Sequence, residues 1–364
     1  MSSSPSTRPR RQSVKPPKIT PLVPHSLSLG LELTFIPRIR GARYHEWRDK
    51  AVAETYATRF NQLLTKRFHD QFPGDTAIPF TAKADPFRST QCGQAFDSWC
   101  IEVNGVLKGA LDSWSDYHRD RVALVYSVAE ELRLHPCILT RKRDGTVLES
   151  PTGANHFHLD LSSLAPSGST FLLSLYYLEA FLCLDYANHP FIRWAFAQWF
   201  DDTNSTCAVG SEKAVRSWRT EIAKAKTRAD TVMSVMVGQA FGSLGIQQRF
   251  AYTGKTVYPT YEFRFFDMPR TPDQLHLQIK FLTHWVSYWK DRVNAEMMDG
   301  LREGDSSPFT LTPGYYRRLS TDAAFARREL GRFWGRIGLD FEGEYRELCW
   351  DQHYALRLAG GKFV

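Results

Sequence analysis

The chain has 364 residues, 43% hydrophobic and 13% aromatic, enough to bury one or two substantial cores and too apolar for a disordered polypeptide. Its formal net charge is +7, but Arg8, Arg10, Arg11, Lys15 and Lys18 supply five of those charges within an acid-free stretch at residues 1–19. The body is therefore close to balanced, and a nucleic-acid partner is expected only through that arm.

Residues 1–25, rich in Ser, Pro, Arg and Lys, are expected to form a disordered basic tail. They lack the apolar core of a secretory signal, and their prolines would break the amphipathic helix of a transit peptide. No apolar run reaches membrane-spanning length. The nearest, 171–187, is interrupted by Ser174, Glu179 and Asp185. Six cysteines (Cys92, Cys100, Cys137, Cys183, Cys207, Cys349) show neither a CxxC pair nor zinc-ligand spacing. The expectation is a soluble, cytoplasmic protein with reduced thiols and no membrane partner.

The first ordered element is an alternating strand from Leu27 to Phe35. Leu29, Leu31, Leu33 and Phe35 form its apolar face; Ser28, Gly30, Glu32 and Thr34 form the other. Glu32 reads either as a solvated residue or as a ligand approached closely past Gly30. A helix is expected from about 46 to 70, ended by Pro73-Gly74, with a long loop or hairpin region over 74–93. Ser98 to Leu107 reads as a strand with Cys100, Glu102 and Asn104 on one face, and Asn104-Gly105 suggests a tight turn. An amphipathic helix follows over 119–134. A short strand at Cys137–Thr140 then leads into the turn Asp144-Gly145.

Gly153 to Leu161 is a further strand, in which His156, His158 and Asp160 share one face. Such histidines are either satisfied core residues or a functional set, because imidazole and carboxylate suit a divalent cation and imidazole can also stack on a base. Aromatic helices are expected over 170–200, and a helix with a basic exposed stripe over 212–243. Gly254-Lys255-Thr256 is not a P-loop: position 249 is Arg where the first glycine belongs, and a strand follows instead of a helix. That strand, 258–266, carries the run Tyr261-Glu262-Phe263-Arg264-Phe265-Phe266-Asp267. A period of two puts Glu262, Arg264 and Phe266 on one side and Tyr261, Phe263 and Phe265 on the other. Glu262 and Arg264 then form either an internal ion pair or part of a cleft holding metal and phosphate. Helices are expected over 273–298, 319–336 and 342–357.

Taken in order, these polar strand faces resemble the glutamine synthetase and glutamate-cysteine ligase superfamily, most of all its amidoligase branch. Gly30-Leu31-Glu32 is similar to the opening G-x-E strand, and Gly153 to His158 to the glycine-led H-x-H strand. Tyr261 to Asp267 is similar to the E-x-R-x-x-D strand, and Trp99 to Leu107 to the strand in which a tryptophan precedes an acidic end. The resemblance covers roughly residues 28–270. It implies an α+β fold, with a largely antiparallel curved sheet lining a cleft and helices on its outer side. It also implies a division into the tail, a catalytic domain over 26–271, and a helical region over 272–364 packed on the same domain.

The implied activity is that of an ATP- and Mg2+- (or Mn2+-) dependent carboxylate-amine ligase acting through an acyl phosphate. Its partners would be a small-molecule or peptide carboxylate and an amine, with oligomerisation left open. Residue by residue, the resemblance implies that Glu32, His156 and Glu262 bind a metal between the nucleotide phosphates and that His158 lies near the nucleotide. It implies that Arg264 steadies transferring phosphate or a substrate carboxylate. Two positions depart from the pattern: Thr34 stands where a second acid is usual, and Asn104 where the strand ends in Asp. Glu102 is the candidate to supply a second metal ligand and a catalytic carboxylate; Asp112 is a weaker one. The alternatives are a catalytically degenerate nucleotide-binding or regulatory protein on the same scaffold, and a basic nucleic-acid-associated protein.

Overall fold

The computed structural model describes residues 29–37, 49–89, 96–108, 115–136, 138–141, 147–150, 154–160, 178, 182, 185, 190–196, 260–298 and 313–346. Its centre is an open antiparallel sheet with the order β2-β3-β1-β7-β8. The strands are β1 (Leu29–Pro37), β2 (Phe80–Ser89), β3 (Phe96–Leu107), β7 (Ala154–Asp160) and β8 (Thr260–Asp267). The short β4 (Leu134–His135) pairs with the end of β1. β5 (Ile138–Arg141) and β6 (Val147–Ser150) make a separate ribbon. With its helices this is a mixed α+β architecture in which every strand pair is antiparallel.

The alternation of β1 has the effect expected of it. Leu29, Leu31, Leu33 and Phe35 are fully or almost fully buried, together with Ile101 and Val103 of β3 and Phe157 and Leu159 of β7. The helices α1 (Lys50–Gln71) and α2 (Asp116–Glu131) add Phe60, Leu64, Phe68, Val122, Val125 and Val128 to the same core. Helix α1 begins at Asp49, whose carboxylate accepts a hydrogen bond from the Ala51 amide at 2.9 Å.

A long helix, α4 (Pro272–Met298), follows β8; the short α3 (Pro190–Phe196) precedes it in the chain. Phe281 of α4 packs on Phe266 with ring centroids 6.2 Å apart, so this helix shares the core of the sheet. The helix expected over 319–336 is in fact two, α5 (Pro313–Thr321) and α6 (Ala323–Arg336). The break falls at Asp322, whose side chain caps α6 by accepting from the Phe325 amide at 2.9 Å. Of the helix expected over 342–357, the described part is a turn at Phe341–Tyr345.

One expectation is narrowed and two are corrected. Of the two forms expected over 74–93, a loop or a hairpin region, the structure has the hairpin: the ten-residue strand β2 pairs antiparallel with β3. Pro86 disguises it, but β2 is an edge strand, where a missing N–H costs little. Asn61 of α1 covers that edge by bonding both the amide and the carbonyl of Ala82 at 2.8 Å.

Asn104-Gly105 is not a turn. Both residues lie within β3, and Gly105 is where the Phe80 ring crosses the strand: a Cβ there would lie 2.2 Å from Phe80 Cδ1. The strict alternation of β8 also fails, since Phe263 and Phe266 are both fully buried. Asn155 pairs with Phe266 and Phe157 with Phe263, which leaves Arg264 and Phe265 opposite the single residue His156. This is a β-bulge.

The tail, the helix expected over 212–243, the Gly254-Lys255-Thr256 loop and Asp112 lie outside the described residues. Among the described residues, no helix is long and apolar enough to cross a membrane.

Candidate functional site

The core side of the sheet is occupied by Leu, Ile, Val and Phe, so its polar residues are left on the other side. There the register assembles them in rows. Glu32 stands between Asn104 of β3 and His156 of β7. Gly30 stands opposite His158, which in turn pairs with Glu262 of β8. Thr34 pairs with Glu102, and Glu102 with Lys83 of β2. Gly30 has a steric purpose, because a Cβ on it would lie 3.0 Å from His158 Cβ.

Glu32 is the centre of this face. His156 Nδ1 lies 2.8 Å from Glu32 Oε2 and donates to it. His158 Nε2 lies 3.0 Å from Glu32 Oε1, close enough for an ion pair although it is out of line for a hydrogen bond. The three side chains are 25%, 17% and 21% exposed, so they are screened from bulk water without being sealed from it. Burial would raise the Glu32 carboxyl. The close contacts and charge of the two imidazoles outweigh that effect and hold it well below the ordinary carboxylate range.

Two further atoms bear on what this face can bind. Asn104 Oδ1 and His158 Nε2 are buried and have no hydrogen-bond partner among the described residues. They sit on the strands flanking Glu32, one on each side. The amide oxygen carries lone pairs suited to a cation, and the imidazole nitrogen offers one when it is not protonated toward Glu32. The donor chemistry (carboxylate, imidazole and amide oxygen) therefore fits a divalent ion. The present arrangement does not yet form a cage. Glu32 and the imidazoles face one another, and among the described residues no group of three or more His, Cys, Asp or Glu is disposed to hold a metal.

A second cluster adjoins the first. Lys83 Nζ lies 2.7 Å from Glu102 Oε1 and 3.8 Å from Asp85 Oδ1. The contact with Glu102 raises the Lys83 pKa against the effect of burial, and the charges of Asp85 and Glu32 add to it. Burial, followed by the negative charge of Glu102, raises the Asp85 carboxyl despite Lys83. Cys100, buried next to them, donates its thiol to the Asp85 carbonyl at 3.3 Å, and burial pushes its pKa far up, which favours the thiol over the thiolate.

The structure thus brings Glu32, His156 and His158 together and places the main chain of Glu262 across from His158. The side chains of Glu262, Arg264 and Asp160 lie outside the described residues. Glu102 lies on the same face but is engaged by Lys83. Lys83 and Asp85 were not anticipated from sequence, although the alternation Phe80-Thr81-Ala82-Lys83-Ala84-Asp85 carries their signal. Compared with known proteins, the sequence matches no protein-family model and no curated protein.

Proposed function

We propose that the polar face of the sheet is the nucleotide-metal cleft of an ATP-dependent carboxylate-amine ligase, of the glutamine synthetase-like, amidoligase type suggested by the sequence. The observation that carries this reading is the half-buried Glu32 carboxylate set between His156 and His158, beside the buried Asn104 amide oxygen that has no hydrogen-bond partner among the described residues. Such a group is expensive to keep in a sheet unless it has a cationic partner to hold.

In this reading Glu32, His156 and Glu262 would hold the divalent cation, with His158 beside the nucleotide. Bound there, the ion supplies charge neutralisation for the transferring phosphoryl group. Glu32 and the imidazoles orient that end of the cleft. Arg264, in the bulge opposite His156, would meet the equatorial phosphate oxygens or the substrate carboxylate.

The reaction has two displacements. A substrate carboxylate oxygen attacks the γ-phosphorus and ADP leaves, giving an acyl phosphate. An amine then attacks the acyl carbon, phosphate departs, and the nitrogen gives up a proton. The first step is needed because a carboxylate is a poor electrophile at neutral pH.

The test is release of ADP from Mg·ATP or Mn·ATP by the full-length protein, screened against mixtures of small carboxylates and amines. Wild type is expected to turn over. Glu32→Ala and His156→Ala are each expected to fall by about 100-fold or more, with unchanged circular dichroism. Nucleotide binding without turnover in any mixture would favour the regulatory reading, and turnover unaffected by either substitution would remove these residues from the site.

A further inference from the structure

The Lys83-Glu102-Asp85 cluster lies on the same face as Glu32, one register step further along β1. Three carboxylates face this region: Glu32, Asp85 and Glu102. Each affects the Lys83 ammonium electrostatically, and Glu102 and Glu32 both bear on Asp85. Without a cation this end of the sheet would hold like charges in a partly dry setting, which is costly. The cation present is a covalently tethered one. Lys83 Nζ lies 2.7 Å from Glu102 Oε1, whose side chain is 12% exposed. The residue across β1 from Glu102 is Thr34, a neutral hydroxyl that adds no charge to balance a second ion.

We propose that the Lys83 ammonium occupies the cation position of this acidic half of the face, so that divalent cations bind only at the Glu32 half. This rests on the ligase reading for the identity of the Glu32 site, but its own content concerns Lys83. A divalent ion at Glu102 and Asp85 would have to displace an ammonium already in contact, and two like charges cannot share the position. Glu102 is then a partner of Lys83, not a metal ligand. The consequence for the cleft is a tethered single charge, already paired with Glu102 and Asp85, on its β2 side in place of a second divalent ion.

The experiment is an Mn2+ titration of the full-length protein, in the absence of nucleotide, with bound ion counted by electron paramagnetic resonance. Lys83→Met is expected to bind one more Mn2+ per chain than wild type, with the added site the weaker. Lys83→Arg and Glu102→Gln are expected to match the wild-type count, because the first keeps the charge and the second removes no ligand. An unchanged count in Lys83→Met, or a lower one in Glu102→Gln, overturns the proposal. The ligase reading fails separately. If wild type binds no Mn2+, Glu32 is not a ligand, while the count gained by Lys83→Met over wild type still decides the role of Lys83. Glu102→Gln keeps the size of the side chain and lies outside the apolar core, so it remains a usable test if Lys83→Met folds poorly.

Discussion

At the scale of single residues, Glu32 has the most to reveal. Its carboxyl is held low because the two imidazoles favour the ionised form more strongly than burial disfavours it. A carboxyl whose folded pKa is depressed contributes stability that is present above its unfolded value. That contribution is lost as pH falls through the folded one. Wild type should therefore be more stable than Glu32→Gln at neutral pH. The difference should erode as pH falls below the ordinary carboxylate value of 4.5. Thermal unfolding of both proteins from pH 7 down to pH 3 (about the acid limit for a folded domain) checks this. A gap that widens in acid would show that Glu32 is not held in its ionised form.

At the scale of elements, β1 and β7 were legible in the sequence because leucines or aromatics alternate with polar residues in both. Each buries one set and presents the other. Three features were hidden by local rules that tertiary structure overrides. Pro86 disguised β2, whose edge position tolerates it, and with β2 went Lys83 and Asp85. Asn104-Gly105 mimicked a turn, although Gly105 is small because the Phe80 ring passes over it. The bulge in β8 shifts Phe266 to the core, and no pattern within one strand reveals how its neighbour pairs.

Asp185 was read only as an interruption of an apolar run. It is fully buried and accepts hydrogen bonds from Trp285 Nε1 at 2.7 Å, Trp289 Nε1 at 2.9 Å and Arg336 Nη2 at 2.8 Å. It thus ties α4 to α6. Asp185→Ala leaves a partly buried guanidinium and two buried indole donors without their acceptor and should cost about 2–4 kcal/mol. Urea denaturation is the measurement, and a loss below about 1 kcal/mol would mean that the helices are held by packing alone.

At the scale of the whole molecule, the sheet divides the protein into two environments. One side is a continuous aromatic and aliphatic core shared by α1, α2, α4 and α6. The other carries Glu32, His156, His158, Asn104, Glu102, Lys83 and Asp85 across four adjacent strands. An antiparallel sheet can bring such distant positions into rows because each register step is fixed by the buried face.

The central claim is that the Glu32 half of this polar face binds a nucleotide-bridging metal. The most direct measurement is a crystal structure of the protein with Mn2+ and a non-hydrolysable ATP analogue, with data collected at the manganese edge. An anomalous peak about 2.0–2.6 Å from ligand atoms of Glu32, His156 and Glu262, with nucleotide phosphate against it, is the expected result. A well-occupied nucleotide bound elsewhere, or an ion that leaves the Glu32-His156 hydrogen bond intact, would contradict the account.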